Sequence, residues 1–420
     1  MHKGKGADWT ALLRKDAAGR VLAKFCNAEL ALREAPDWQG CIAYDEFAAR
    51  IVLRKPPPLD QDLGDEWTQA HDLMALKWLQ SKGVMVKLRD VAEAVQAVAI
   101  QNRFHPVREW LDGLKWDGIE RARDWLTLYL GVEAGDYVRA VGERWLVSAV
   151  ARVYEPGCKA DCVLVLEGPQ GAGKSTALKT LAGDWFTDEI HELGSKDAAL
   201  QIRGVLVVEL AELRQLRRSD TEAIKSFVSR TVDRFRPPYG QRVEAFPRQC
   251  VFAGTGNDGV YLGDETGGRR FWPVRCGKIN LRELRRDREQ LWAEACYRYR
   301  EGVPWYLDSA ELQEAADAEQ RDRFNEDAWH ELIVEWLARE RLTSVSVAEV
   351  LERCVKKDKG MWAQSDKNRV AKVLVFLGWK RKNLARGGGS NWRYVAPEGW
   401  LSSVSSMVSS PVSSLSGFES

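Results

Sequence analysis

Between Trp67 and Tyr154 the apolar residues recur at helical spacing in four segments. The clearest starts at Val138 and puts Val138, Val141, Trp145 and Ala149 on one stripe, so this region reads as an all-helical domain. From Cys162 the period changes. Short β-branched runs at Val163–Leu166, Val205–Val208, Cys250–Ala253 and Phe271–Val274 alternate with helix-like stretches, the pattern of a mostly parallel sheet covered on both faces. Asn280 to about Arg323 is helical again, with arginine at the exposed positions. A small unit from about Glu326 to Val395 reads as two helices, a third over Lys367–Leu377, and two short polar-apolar runs around a glycine-rich turn at Gly388. The stiff Lys55-Pro56-Pro57-Pro58 break closes a weakly patterned N-terminal stretch. The expected division is 1–60, 61–157, 158–305, 306–398 and a disordered tail, 399–420, because the last 20 residues hold ten serines and almost no charge.

Composition changes this picture little. With 420 residues, 45% apolar and 29% charged, the chain is long enough for two or three domains with cores of their own. A net charge of +1 excludes a global field for nucleic acid or membrane, so local charge must carry any such role. The eight cysteines are scattered, and Cys158 and Cys162 lack a second pair or nearby histidines. They read as buried thiols of a reducing cytoplasm rather than a zinc site. No apolar run is long enough to span a bilayer. Eighteen tryptophans without a repeat period read as core and interface residues.

Candidate chemistry begins where the first core strand ends. Gly168-Pro169-Gln170-Gly171-Ala172-Gly173-Lys174-Ser175 fits G-x-x-x-x-G-K-[ST] at every fixed position, and Thr176 continues into a helix-like segment. In that setting backbone N–H groups and a helix N-terminus surround a β-phosphate, Lys174 spans the β- and γ-phosphates, and Ser175 ligates Mg²⁺. The next strand delivers Glu209 and Glu212, two carboxylates for a metal water shell and an attacking water, unless one is a solvated surface residue. Asn257 follows the third core strand, where its amide could reach a γ-phosphate or could serve a turn. Arg269 and Arg270 open the last strand. They could project toward a neighbouring subunit or be surface cations.

Several of these segments together resemble one family. HPVREWLDGLKWDG (His105 to Gly118), GCKAD (Gly157 to Asp161), the glycine-rich loop, TVDRFRPPYG (Thr231 to Gly240) and GGRRFWPV (Gly267 to Val274) are similar to the virulence-associated E proteins of phages and mobile elements, relatives of superfamily 3 helicases. The likeness runs over about residues 20 to 300. It implies a P-loop NTPase core of the AAA+ kind in a ring-forming DNA helicase, often paired with a primase, working in the cytoplasm of a bacterial host. A homo-oligomeric ring, a hexamer by preference, ATP and Mg²⁺ are implied with it. Carried over by motif, Lys174 and Ser175 hold nucleotide, Glu209 or Glu212 is the acidic motif, Asn257 is the sensor, and Arg269 or Arg270 is a finger acting in trans. A further helicase motif falls on Lys225 to Arg242. Thr255-Gly-Asn stands where Thr-Thr-Asn is expected. No segment before residue 60 is long enough for a primase, so priming would need another chain.

Local charge supports nucleic acid independently. Arg214 to Arg248 holds nine basic and four acidic residues, and a hairpin there would present Arg236, Tyr239 and Arg242, with Lys225 nearby, to single-stranded DNA, or would be a solvated charged loop. Arg353 to Arg393 holds twelve basic and two acidic residues. Three helices followed by a basic hairpin look like a winged helix, with Lys367 and Arg369 on the third helix and Lys380, Arg381 and Lys382 in the hairpin contacting duplex DNA. The competing reading is a protein-docking module. Two other functions share the loop: an ATP-gated DNA-binding initiator or interference protein that unwinds nothing, and a small-molecule kinase.

Overall fold

A computed structural model describes residues 8–58, 61–190, 193–210, 218–236, 242–256, 270–324, 328–384, 392–397 and 399–400. They fall into two compact units, one of residues 8–256 and 270–313, the other of residues from 314 onward.

The first unit begins with α1 (Phe25–Glu34), the antiparallel pair β1 (Ile42–Asp45) and β2 (Arg50–Leu53), then α2 (Gln69–Ser81) and α3 (Leu88–Gln101). On α3 the residues Val91, Ala94, Val95, Val98 and Ala99 form one apolar stripe, which packs with Ala28, Leu32, Trp38, Ile42 and Leu79 in a separate core cluster. The segment expected to be all-helical carries a strand, β3 (Arg103–Phe104), paired in parallel with Tyr44–Asp45. A two-residue strand has no periodicity to read. It forms because the Asn102 amide donates to the Ile42 carbonyl (3.1 Å) as the chain leaves α3.

Three helices follow, α4 (Pro106–Gly113), α5 (Trp125–Leu130) and α6 (Asp136–Tyr154), and then an alternating α/β region. It runs through β4 (Val163–Glu167), α7 (Lys174–Ala182), β5 (Phe186–Thr187), α8 (Lys196–Gln201), β6 (Val207–Leu210), α9 (Arg218–Val228), the hairpin β7 (Val232–Phe235) and β8 (Glu244–Pro247), β9 (Val251–Gly256), β10 (Phe271–Arg275) and α10 (Leu281–Arg300). Five strands form a wholly parallel sheet in the order β10-β4-β9-β6-β5. Every residue of β4, β6 and β9 is buried, so both faces are covered and the strands read as continuous apolar runs. On α6 the expected stripe holds for Val141, Trp145 and Ala149, and the Trp145 indole donates to the Phe252 carbonyl of β9 (2.9 Å). Trp125, Trp145, Trp272 and Trp292 are among the largest fully buried side chains, in keeping with a core role.

The hairpin β7–β8 is fixed at its base. Arg248, 1% exposed at its side chain, meets Asp233 with two charge-assisted bonds (2.6 and 2.9 Å) and also donates to the Phe227 carbonyl, with its guanidinium 4.2 Å from the Phe227 ring centroid. Arg203 lies 4.4 Å from the Phe246 ring centroid and donates to the Ala49 carbonyl (2.8 Å).

The helix α11 (Ala310–Phe324) spans the boundary between the units. The second unit holds α12 (Ala328–Arg339), β11 (Ser344–Val345), the short α13 (Val347–Glu349) continuing as a wide turn over Val350–Cys354, α14 (Gln364–Phe376), β12 (Lys380–Asn383) and β13 (Trp392–Val395). Its antiparallel sheet has the order β11-β13-β12. Ile333, Trp336, Leu337, Val350, Leu351, Val370, Val373, Leu374, Trp379 and Trp400 form its own core. Trp400 meets Trp379 edge-on, with ring centroids 5.5 Å apart, so the ordered unit extends past the expected boundary at residue 398. No helix among the described residues is long and apolar enough to cross a membrane.

Candidate functional site

The site stands at the carboxyl end of β4, the second strand of the sheet. In open parallel sheets this is the end where ligands bind. Four buried apolar residues and Glu167 deliver the chain to Gly168, which donates its N–H to the Gly256 carbonyl of β9 (3.2 Å). Gly171 and Gly173 have φ of 79° and 92°, backbone values at which a Cβ is strained, so the turn into α7 needs glycine there. Gly173 caps α7 without a side-chain hydrogen bond, which leaves the N–H groups of the first turn facing the loop. Pro169, Gln170 and Gly171 are exposed, Ala172 and Gly173 half-buried, and Ser175 and Thr176 exposed on the first turn.

Lys174 is 7% exposed, and its ammonium donates to the carbonyls of Gly168 and Pro169 (both 2.7 Å), curling the loop around the charge. An ammonium has three N–H donors, so one stays available to a ligand anion among the described residues. Cys276 flanks the loop. Burial pushes its thiol up to about 12 against the opposing pull of Lys174, so the thiol contributes no charge.

Glu209 on β6 is 2% exposed. Its Oε1 accepts the hydroxyls of Ser175 (2.7 Å) and Thr255 (2.6 Å), while its Oε2 is buried and has no hydrogen-bond partner among the described residues. A buried carboxylate oxygen without a donor is costly. The Ser175 hydroxyl donates its hydrogen to Oε1 and keeps acceptor lone pairs. Two oxygen donors of this kind, beside a helix N-terminus that attracts anions, suit a hard divalent cation accompanied by phosphate.

The far end of α7 is clamped by α10. Arg288 donates to the carbonyls of Leu181 (2.8 Å) and Ala182 (3.2 Å), and the Trp292 indole donates to Leu181 (3.0 Å). The orphan carbonyls of the helix are thereby satisfied and a cation sits at its negative end. Neither Arg288 nor Thr255 was legible as a site residue.

The other expected residues separate. Glu212, Tyr239, Asn257 and Arg269 lie outside the described residues. Arg270 is not at the loop. Phe271 pairs with Val163 and Arg275 with Glu167, so Arg270 precedes the strands whose far ends carry the loop, about five residues or roughly 17 Å along the sheet. There it is held by Asp161 of its own chain (3.2 Å). Lys225 is a correction to the expected nucleic-acid contacts. It is 6% exposed on α9, which does not favour a contact with a polyanion. Arg236 and Arg242 are exposed on the two arms of the hairpin. In the second unit Lys367, Lys380, Arg381 and Lys382 are exposed. Arg369 is half-buried with its guanidinium 4.1 Å from the Trp329 ring centroid, and Arg381 lies 4.8 Å from that of Trp392, itself 51% exposed.

Two solved forms of the NrS-1 C-terminal region are similar to this chain. The apo structure gives a TM-score of 0.48 at 11% identity, over 84% of this chain and 95% of that one. The A form gives 0.45 at 11% identity, over 84% and 95%. No curated protein matches. The model of the virulence-associated protein E-like domain matches residues 111–325, starting later than the likeness from residue 20 read in the sequence and covering just over half of the chain, which therefore belongs to the virulence-associated protein E-like family.

Proposed function

We propose that this chain is an ATP- and Mg²⁺-dependent helicase-type motor of phage or mobile-element DNA replication, a P-loop ATPase of the AAA+ and superfamily 3 kind acting as a ring. The observation that carries the reading is the unpartnered Oε2 of buried Glu209 beside Ser175, at the mouth of a glycine-rich loop and a helix N-terminus. Family membership supports the phage context.

The N–H groups of Gly171, Gly173, Lys174, Ser175 and Thr176 and the Lys174 ammonium would bind the β- and γ-phosphates, positioning the γ-phosphoryl for in-line attack by water. Mg²⁺ would be held by Ser175 and Glu209 and, when bound, would supply neutralisation of charge on the phosphate oxygens. Glu212 and Asn257, which follow β6 and β9 in sequence, are proposed to polarise and orient the water. Arg269 or Arg270 is proposed to act on a neighbouring subunit's nucleotide. The position of Arg270, at the opposite end of its own sheet, supports action in trans. Arg236, Tyr239 and Arg242 on the hairpin are proposed to meet single-stranded DNA in the ring channel. The order of helices and strands in the second unit supports a winged-helix-like module, with Lys367 and Arg369 on α14 and Lys380, Arg381 and Lys382 on β12 facing duplex DNA.

The test is turnover of ATP with and without single-stranded DNA. The motor reading expects Mg²⁺-dependent hydrolysis, stimulated by the strand and abolished in Lys174→Ala. Hydrolysis indifferent to DNA would favour an ATP-gated initiator instead, and wild-type turnover by Lys174→Ala would refute the site.

A further inference from the structure

Glu209 and Thr255 lie on neighbouring parallel strands. Glu209 of β6 pairs with Ala253 of β9, so Thr255 stands two residues further along the same face of the sheet, toward its carboxyl end. With strands about 4.8 Å apart and a rise of about 3.3 Å per residue, the separation of about 8 Å between such positions is within reach of a glutamate arm. The two side chains close it with the 2.6 Å bond from the Thr255 hydroxyl to Oε1. Thr255 is 8% exposed, β-branched and set in a strand buried along its whole length, so its hydroxyl is held by stiff geometry. The terminal torsion of a glutamate is broad. With Ser175 as its only tether, the carboxylate could turn about that torsion. With two hydroxyls on the same oxygen, it cannot do so without giving up a bond.

We infer that Thr255 is a positioning residue. By donating to Oε1 together with Ser175, it holds Glu209 so that Oε2 is the oxygen presented to a divalent cation at the phosphate loop. This rests on the proposed nucleotide site and assigns within it a duty to a residue that touches neither nucleotide nor metal. A purely structural threonine would only satisfy a buried acceptor. Its loss would then lower stability and leave cation affinity unchanged.

The test uses the full chain and reads binding rather than turnover. A fluorescent ATP analogue is bound first without metal, and Mg²⁺, or Mn²⁺ observed by electron paramagnetic resonance, is then titrated in. Thr255→Val removes the hydroxyl at nearly constant volume. It is expected to raise the apparent metal dissociation constant about 10-fold, the lower end of what outer-shell partners of metal ligands contribute, with metal-free analogue binding unchanged. Thr255→Ser restores the hydroxyl and should return the constant to within about 3-fold of wild type. Should the valine variant lose metal-free binding through misfolding, Thr255→Ala carries the same expectation with less crowding. Metal titrations of the valine or alanine variant that overlay wild type, or a serine variant as weak as valine, would overturn the inference and leave the site intact. A wild-type chain whose analogue binding ignores metal would overturn both.

Discussion

Replacing Asp233 by alanine tests whether the hairpin is held by charge. The substitution leaves Arg248 with one of its three anchors, the Phe227 carbonyl, while its side chain is 1% exposed and wedged against the Phe227 ring. A guanidinium cannot shed its proton, so the charge stays buried and uncompensated. Removing one partner of such a pair costs about 3–5 kcal/mol. Asp233→Leu with Arg248→Met removes both charges and refills the space. Its cost should fall to about 1–3 kcal/mol, since what remains is the loss of the guanidinium bond to the Phe227 carbonyl, which still accepts the Arg230 N–H (3.3 Å). Urea unfolding of the full chain, followed by tryptophan fluorescence, gives the midpoints, and the m-value shows whether the transition changes character. An alanine variant within about 1 kcal/mol of wild type, or a double variant costing the sum of the two singles, would refute the reasoning, because the pair would then be no more than two independent surface-like contacts.

Other outcomes follow from the same structure. Burial lowers the affinity of His105 for a second proton, and the ring spans two bonds, Nε2 to Gln249 (2.7 Å) and Nδ1 accepting the Arg108 N–H (3.2 Å) at the start of α4. The folded state therefore favours the neutral ring. That contribution is complete above the ordinary value of 6.5 and is lost as pH falls below it, so the melting temperature should drop from pH 6.5 downward, and less steeply in His105→Asn, which still caps the helix. Replacing Lys380, Arg381 and Lys382 together by alanine should flatten the log–log salt dependence of duplex binding by about 2–3, nearly one for each phosphate that the triple variant no longer neutralises. An unchanged slope would favour protein docking. Arg270→Ala protein mixed with Lys174→Ala protein should turn over ATP faster than the sum of the two alone, whereas silence in demonstrably exchanging mixtures would make Arg270 a partner of Asp161 and nothing more.

The sheet was legible because buried parallel strands are continuous apolar runs. One boundary slid. Val205 and Leu206 are as apolar as the strand that follows, but pairing with β5 starts at Val207, opposite Phe186. The glycines of the loop were legible because the turn into α7 takes Gly171 and Gly173 to positive φ, where a Cβ is strained. Thr255 was not, since its bond to Glu209 crosses 46 positions and depends on the register of two strands. Arg288 was hidden likewise, an arginine among many on α10 whose partner carbonyls belong to another helix. Lys225 misled for the converse reason. Charge suggests solvent, and nothing in the spacing of α9 marks that one lysine as buried.

The edge-on meeting of Trp379 and Trp400 bears on how this unit could be exchanged between proteins. A junction drawn by composition would fall at residue 398, where serine begins to dominate, and would strip a 9% exposed tryptophan from the unit's core. Losing a buried aromatic side chain of that size costs about 3–5 kcal/mol, a large share of what holds a small domain together. Grafting the unit onto another protein therefore needs a seam after residue 400, so that the transplanted segment carries its own last anchor.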